Sequence, residues 1–265
     1  IAQEGFRDIL LVSSEDKAFV TTDYLAELAA RLREQFSFVG IEIYQMSTDE
    51  YRRLFDAGVE GVTLYQETYD RDEYARQHRG GPKADYDLRL RGPDDMAHAG
   101  MREIGLGVLL GLADWRIETL ALGEHASYLI RRYWQSHISF SFPRLRPACG
   151  VPREEFPHLL SDKNLVQMML ALRLCFADAG LVLSTREEAR LRDHVITLGP
   201  TRISAGSRTD PGGYSKPRPD GHHHSEQFEV SDRRSPKEVA AMLERHGLEP
   251  VWKDWDSAFL GRNPI

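Results

Sequence analysis

Short apolar, β-branched runs alternate with longer amphipathic stretches along the whole chain, and this rhythm restricts the fold more than any single motif. Seven runs read as strands: residues 8–13, 38–44, 61–65, 104–110, 137–142, 181–183, and a last pair of segments at 195–198 and 201–207. The intervening stretches are long enough to return as crossover helices, so the strands are expected to be parallel. Eight such units close a barrel of about 250 residues, and the chain has 265. The reading is an α/β chain, a (β/α)8 TIM-type barrel with its first strand missing. An open doubly wound sheet is the competing architecture, but no Gly-x-Gly-x-x-Gly follows a strand to support it.

Helix starts are marked by capping residues. Thr21-Thr22-Asp23 caps a helix to about Glu34, with Leu25, Leu28, Ala29 and Leu32 on one face. Ser47 opens a helix that Gly58 ends. The polar segment with Arg79-Gly80-Gly81-Pro82-Lys83 reads as a loop, followed by a helix from about Asp85 to Gly100. Further helices are expected from Trp115 to about Tyr133, from Ser161 to Ala179, and from Ser235-Pro236, where Pro suits the first helical position. Gly5 has the character of a helix C-cap before the first strand. With no initiating Met and no signal peptide, the chain is expected to be a fragment that starts inside a helix. After Ser207, Pro and Gly accumulate and mark a loop. This suggests a barrel over residues 1–209 and a loop-and-helix extension packed on it over 210–265. His222-His223-His224 could bind a metal, but three adjacent His rarely converge on one ion, so a solvated loop is the stronger reading.

Composition excludes several classes. At 41% hydrophobic and 28% charged, the chain is globular rather than disordered. A net charge of -7 argues against nucleic acid and anionic membranes as partners. No run approaches the roughly 18 apolar residues of a membrane span. Cys149 and Cys175 are too few for a disulfide framework and suit a reducing, cytoplasmic setting; both read as structural.

In a parallel barrel the site forms at the C-terminal ends of the strands. Glu15, Gln66, Glu67, Arg186 and Ser204 stand at such ends, and Arg89 lies on the segment after the third strand. Arg186 follows Ser184 and Thr185; a guanidinium binds a carboxylate through two parallel hydrogen bonds. Each residue alone reads as ordinary surface. Together they provide two carboxylates and two cations, which suits a zwitterion. No catalytic side chain and no metal ligand is singled out.

Several strings are longer and more unusual: GVTLYQETY at 61–69, SFPRLRP at 141–147, LSTRE at 183–187, ISAGSRT at 203–209, DPGGY at 210–214 and PVWKDWD at 250–256. They resemble the 2-iminoacetate synthases, the radical S-adenosylmethionine tyrosine lyases of thiamine biosynthesis, and the resemblance runs in order over essentially the whole chain. It implies a radical S-adenosylmethionine barrel represented here by strands two to eight. It also implies a 4Fe–4S cluster and S-adenosyl-L-methionine as cofactors, and cleavage of the Cα–Cβ bond of L-tyrosine to 4-cresol and 2-iminoacetate. Thiazole synthase and a flavodoxin or ferredoxin electron donor are the implied partners. By the same resemblance Arg186 holds the substrate carboxylate, with Ser204 beside it. Glu67 and Arg89 contact S-adenosylmethionine, Arg89 at its carboxylate, and Glu15 receives its ammonium. Gln66 and Arg144 are neighbours.

Two departures stand out. Ser14 replaces the Gly of the family's Gly-Glu element, and the cluster-binding Cys-x-x-x-Cys-x-x-Cys is absent, so its ligands are expected upstream of Ile1 and the fragment is expected to be inactive alone. The alternatives are the tyrosine lyase of hydrogenase maturation and a non-catalytic, degenerate barrel. The first carries a Cys-rich C-terminal extension, whereas this chain ends without Cys. A Schiff-base aldolase would need a Lys at a strand end, and none stands there.

Overall fold

A computed structural model describes residues 1–13, 15–145, 156–209, 214 and 230–252. Seven strands form one sheet in chain order: β1 (Asp8–Val12), β2 (Phe38–Glu42), β3 (Gly61–Thr63), β4 (Glu103–Gly107), β5 (His137–Ser141), β6 (Gly180–Leu183) and β7 (Arg202–Ile203). Every neighbouring pair is parallel. The crossovers carry α1 (Thr22–Leu32), α2 (Thr48–Asp56), α3 (Arg71–Gln77), α4 (Tyr86–Ala99), α5 (Trp115–Arg132), α6 (Asp162–Cys175) and α7 (Ala189–Val195), and α8 (Pro236–Arg245) follows β7.

Helix starts follow the sequence closely. Thr21, Asp70, Asp85, Asp114 and Ser161 each accept a hydrogen bond from a backbone N–H of the first turn. Ser47 with Glu50, and Ser235 with Glu238, form complete capping boxes. Gly5, at φ 102, closes a 3-10 turn over Ala2–Glu4.

Register separates the two faces of the sheet. Ile41, Val62, Ile104 and Ile138 lie side by side, as do Leu106, Phe140 and Leu181. All are buried, and Phe140 meets Phe176, the residue that ends α6, at a ring separation of 5.5 Å. The other face is mostly small or polar from β3 onward: Thr63, Gly105, Ser139 and Gly180 share one row, and Gly107, Ser141, Val182 and Arg202 the next. Glu103 on this face takes both Arg202 nitrogens, at 2.6 and 3.0 Å. In a flat sheet β4 and β7 would stand about 14 Å apart. The bidentate pair therefore requires the sheet to curl, with the small and polar face inside.

Three expectations need correction. Residues 195–198 are not a strand: Val195 ends α7, and Ile196–Leu198 is a 3-10 turn. Val195 and Ile196 are buried there, Ile196 against Val239 and Met242 of α8, so packing overrides their β-branched preference. The last strand shrinks to Arg202–Ile203. The segment before Lys83 is not all loop, because α3 forms within it. Tyr74 is the only buried residue of α3, so no apolar period announces the helix; Asp70 capping Glu73 and the Arg76–Glu73 pair support it. Cys175, read as structural, is an exposed free thiol. Ser14, Cys149, residues 210–213 and His222-His223-His224 lie outside the described residues. Among the described residues no helix is long and apolar enough to cross a membrane.

Burial pushes the Glu103 carboxyl up, but hydrogen bonding and charge from Arg202, with His137 and Ser139, bring it below its ordinary value. A depressed carboxylate stabilises the fold above its unfolded pKa and loses that contribution as pH falls. Glu103→Gln is expected to cost about 2 kcal/mol near neutrality and to flatten the loss of stability below roughly pH 4. Urea unfolding of both proteins across pH checks this; parallel pH profiles would refute it.

Candidate functional site at the C-terminal mouth

The loop after β3 stays zipped to the β4 segment beyond the strand ends. Leu64 N–H donates to Gly105 O and Gln66 N–H to Gly107 O, both at 3.0 Å, and Leu109 N–H donates to Glu67 O at 2.7 Å. Glu67 then adopts φ 70, the one positive φ at a non-glycine among the described residues. The next turn is held from behind by the buried Glu118 of α5, whose carboxylate accepts Thr68 Oγ1 at 2.6 Å and Tyr69 N at 3.0 Å. A strained backbone at a strand end persists only when its surroundings hold it, and it is a common mark of a functional position.

This geometry turns the Glu67 side chain toward a cluster of charges. Lys83 Nζ lies 3.1 Å from Glu67 and 3.3 Å from Glu15; Arg89 lies 3.6 Å from Glu67 and 4.0 Å from Glu15. The buried Arg89 is anchored by its Nε, which donates to Tyr65 O at 2.7 Å. Gln66 is buried next to Glu67, and its Nε2 has no hydrogen-bond partner among the described residues. Three sequence-predicted residues, Glu15, Glu67 and Arg89, thus meet in one place.

A second group lines the inner wall. Tyr65 hydroxyl donates to Glu42, the last residue of β2, at 3.2 Å. Gly107 makes room for Tyr65, since a Cβ there would sit 2.7 Å from the Tyr65 ring. Burial pushes the Glu42 carboxyl up, against the Tyr65 hydrogen bond and the nearby Arg186 charge, which lower it. Burial and Glu42 together push the Tyr65 phenol up.

The turn that carries Arg186 is tightly fixed. Thr185 O accepts Ser231 N and Asp232 N, each at 3.0 Å. Glu187 pairs with both nitrogens of the buried Arg144 fork, and Arg144 also reaches Asp162 at 2.8 Å. Arg144 is therefore occupied as a clamp, and its carbonyl accepts Arg186 Nη2 at 3.5 Å. Ser204 sits at the exit of β7; its N–H donates to Leu183 O at 3.1 Å, and its carbonyl accepts from the buried Arg192, which also pairs with Asp232.

The sequence reading missed Glu42, Tyr65 as a wall residue, Lys83 and Glu118. Glu42 carried a signal, as a carboxylate within an apolar strand. Glu118 carried none, because it is one of several acidic residues on a long helix. Among the described residues no three His, Cys, Asp or Glu converge as metal ligands, so these residues do not form an iron–sulfur cluster site. The charges at the mouth do fit a zwitterionic cofactor, with anions and cations in contact and an orphan amide donor beside them.

Residues 141–249 match the Biotin and Thiamin Synthesis associated domain. The chain is 45% identical over 263 residues to 2-iminoacetate synthase of Escherichia coli (strain K12) and 44% identical to that of Salmonella typhimurium, covering 99% of this chain and 68% of each relative. Among solved structures, HydG, a maturase of the [FeFe]-hydrogenase, superposes with a TM-score of 0.89 at 33% identity over 98% of this chain. HydG from Carboxydothermus hydrogenoformans gives 0.81 at 30% identity over 95% of this chain. The chain spans 57% of the length of each of these two. Methylornithine synthase gives 0.68 at 21% identity over 93% of this chain and 69% of its own, a likeness of fold.

The positive φ at Glu67 predicts an ordering between two variants that both lack the carboxylate. Glu67→Gly is expected to be about 1 kcal/mol more stable than Glu67→Ala, since glycine accepts this conformation without steric cost. Thermal unfolding of the pair tests it; equal midpoints would mean the loop relaxes.

Proposed function

Because the chain belongs to the 2-iminoacetate synthase family, we propose that it performs carbon–carbon cleavage of L-tyrosine to 2-iminoacetate and 4-cresol, within the radical S-adenosylmethionine barrel fold that it shares with HydG. The observation that carries this reading is 45% identity sustained over 263 residues, joined to the charge cluster at the strand ends. S-adenosylmethionine, bound with a reduced 4Fe–4S cluster, supplies the radical chemistry. Ligands for the cluster would come from outside the described residues.

The chain's own residues bind and orient. Glu15 would receive the ammonium of S-adenosylmethionine and Arg89 its carboxylate, with Glu67 and Gln66 alongside. Glu15, Glu67, Arg89 and Lys83 neutralise one another as they stand. A zwitterion can therefore exchange partners with them without leaving a buried charge unpaired, the case that is most costly. Arg186 would hold the tyrosine carboxylate, its backbone set by the Arg144–Glu187 clamp, with Ser204 beside it. Placing the reacting groups and keeping water out is the protein's share of such chemistry. Thiazole synthase as recipient of the product, and a flavodoxin or ferredoxin as electron source, complete the reading.

A preparation of the protein that carries the 4Fe–4S cluster is expected to release 4-cresol in an anaerobic assay with S-adenosylmethionine, L-tyrosine and a reductant. Arg186→Ala is expected to lower kcat/KM by about 30-fold or more, as for loss of a charged hydrogen-bonded partner. Absence of 4-cresol from preparations that show iron–sulfur absorbance would overturn the activity.

A further inference from the structure

Four charges meet at the mouth, and they are not equally fixed. Arg89 is buried, and its Nε donates to Tyr65 O at 2.7 Å, so its guanidinium has little room to move. The Lys83 side chain is 33% exposed, against 6% for Arg89. It extends from the 3-10 turn Pro82–Ala84, which follows the exposed Gly80 and Gly81. The Tyr74 hydroxyl donates to Lys83 O at 2.7 Å and holds the backbone, so the long, flexible side chain is the part that can swing. Its Nζ lies 3.3 Å from Glu15 Oε1 and 3.1 Å from Glu67 Oε1. Arg89 stands farther from the same two oxygens, at 4.0 and 3.6 Å. Among the described residues, Lys83 and Arg89 are the cations that Glu15 contacts, and the nearer one is a primary ammonium.

A ligand that presents an ammonium to Glu15 and a carboxylate to Arg89 meets this arrangement as it enters. Arg89 is already in place. The Glu15 oxygen is taken by Lys83, whose ammonium is the same chemical group that the ligand brings. Two ammonium groups at one carboxylate oxygen repel each other, so one of them has to yield. We propose that Lys83 is a tethered stand-in for the ammonium of the amino-acid part of S-adenosylmethionine, pairing with Glu15 and Glu67 before the ligand arrives and giving up Glu15 to it. Charge stays balanced at both stages. Two carboxylates first face two cations. Afterwards the ligand ammonium pairs with Glu15, its carboxylate with Arg89, and Lys83 with Glu67. Neither stage leaves a partly buried carboxylate without a cation, which is the costly case. The exchange weakens binding by the worth of the Lys83–Glu15 contact and favours ligands that carry their own ammonium. This inference rests on the proposed S-adenosylmethionine site and adds the role of Lys83 within it.

Calorimetric titration of a preparation that carries the 4Fe–4S cluster tests it with two ligands. S-adenosylmethionine has the amino-acid group, and 5′-methylthioadenosine lacks it. Lys83→Met is expected to tighten S-adenosylmethionine by about 10-fold, the worth of the one charged hydrogen bond that the ligand no longer has to replace. Binding of 5′-methylthioadenosine is expected to stay within about 2-fold, since it brings no ammonium to Glu15. Lys83→Gln also removes the charge and gives the same readout should the Met variant fail to fold. Weaker binding of S-adenosylmethionine to the folded variants would make Lys83 a direct partner of its carboxylate and overturn the stand-in role. Unchanged binding, or an equal change for both ligands, would overturn it too. No binding of S-adenosylmethionine to the native protein would instead overturn the reading of the site on which the inference rests.

Discussion

Side chains on parallel strands alternate between two faces, and here the two faces carry different chemistry. Ile41, Val62, Ile104, Phe140 and Leu181 fill the helix side. Thr63, Gly105, Gly107, Ser139, Ser141 and Gly180 occupy the other. An ordinary barrel interior is filled by bulky branched residues. Small residues leave this one with room, and the polar groups that remain can reach across it. The Glu103–Arg202 pair ties β4 to β7 through that space. At the other end of the strands, the Tyr65 hydroxyl donates to Glu42 on the same inner wall.

The mouth combines a fixed shell with an exchangeable interior. Arg144 clamps Glu187, Arg192 joins Asp232 to Ser204 O, and Glu118 secures the turn after Glu67. These are buried charges held by the backbone, by a hydroxyl or by a charged partner. The charges inside that shell, Glu15, Glu67, Lys83 and Arg89, meet one another at distances from 3.1 to 4.0 Å, with Arg89 also donating to Tyr65 O. Contacts of that kind are easily traded for those of a ligand, which is what a binding site for charged molecules requires.

Much of the architecture was legible before any coordinates. The caps at Thr21, Ser47, Ser161 and Ser235 mark helix starts because a hydroxyl satisfies an otherwise unpaired N–H whatever surrounds it. Parallel order follows from crossover length. Errors fell where local preference and packing disagree. Val195 and Ile196 look like strand residues, and burial, Ile196 against α8, makes them helical. The α3 segment lacks an apolar stripe, and its capping and ion pairs hold it instead.

The site divides in the same way. Which residue types stand at strand ends was set by the sequence alone, since strand periodicity and crossover spacing are local properties; Glu15, Glu67 and Arg186 could be named from it. That Lys83 joins them from a turn, that Tyr65 meets Glu42 on the inner wall, and that Arg144 is spent as a clamp depended on the tertiary structure. Those contacts connect residues 16 to 43 positions apart, and no local pattern encodes a distance across the lumen. Only the curl, imposed by small inner residues and the Glu103–Arg202 pair, decides which charges meet.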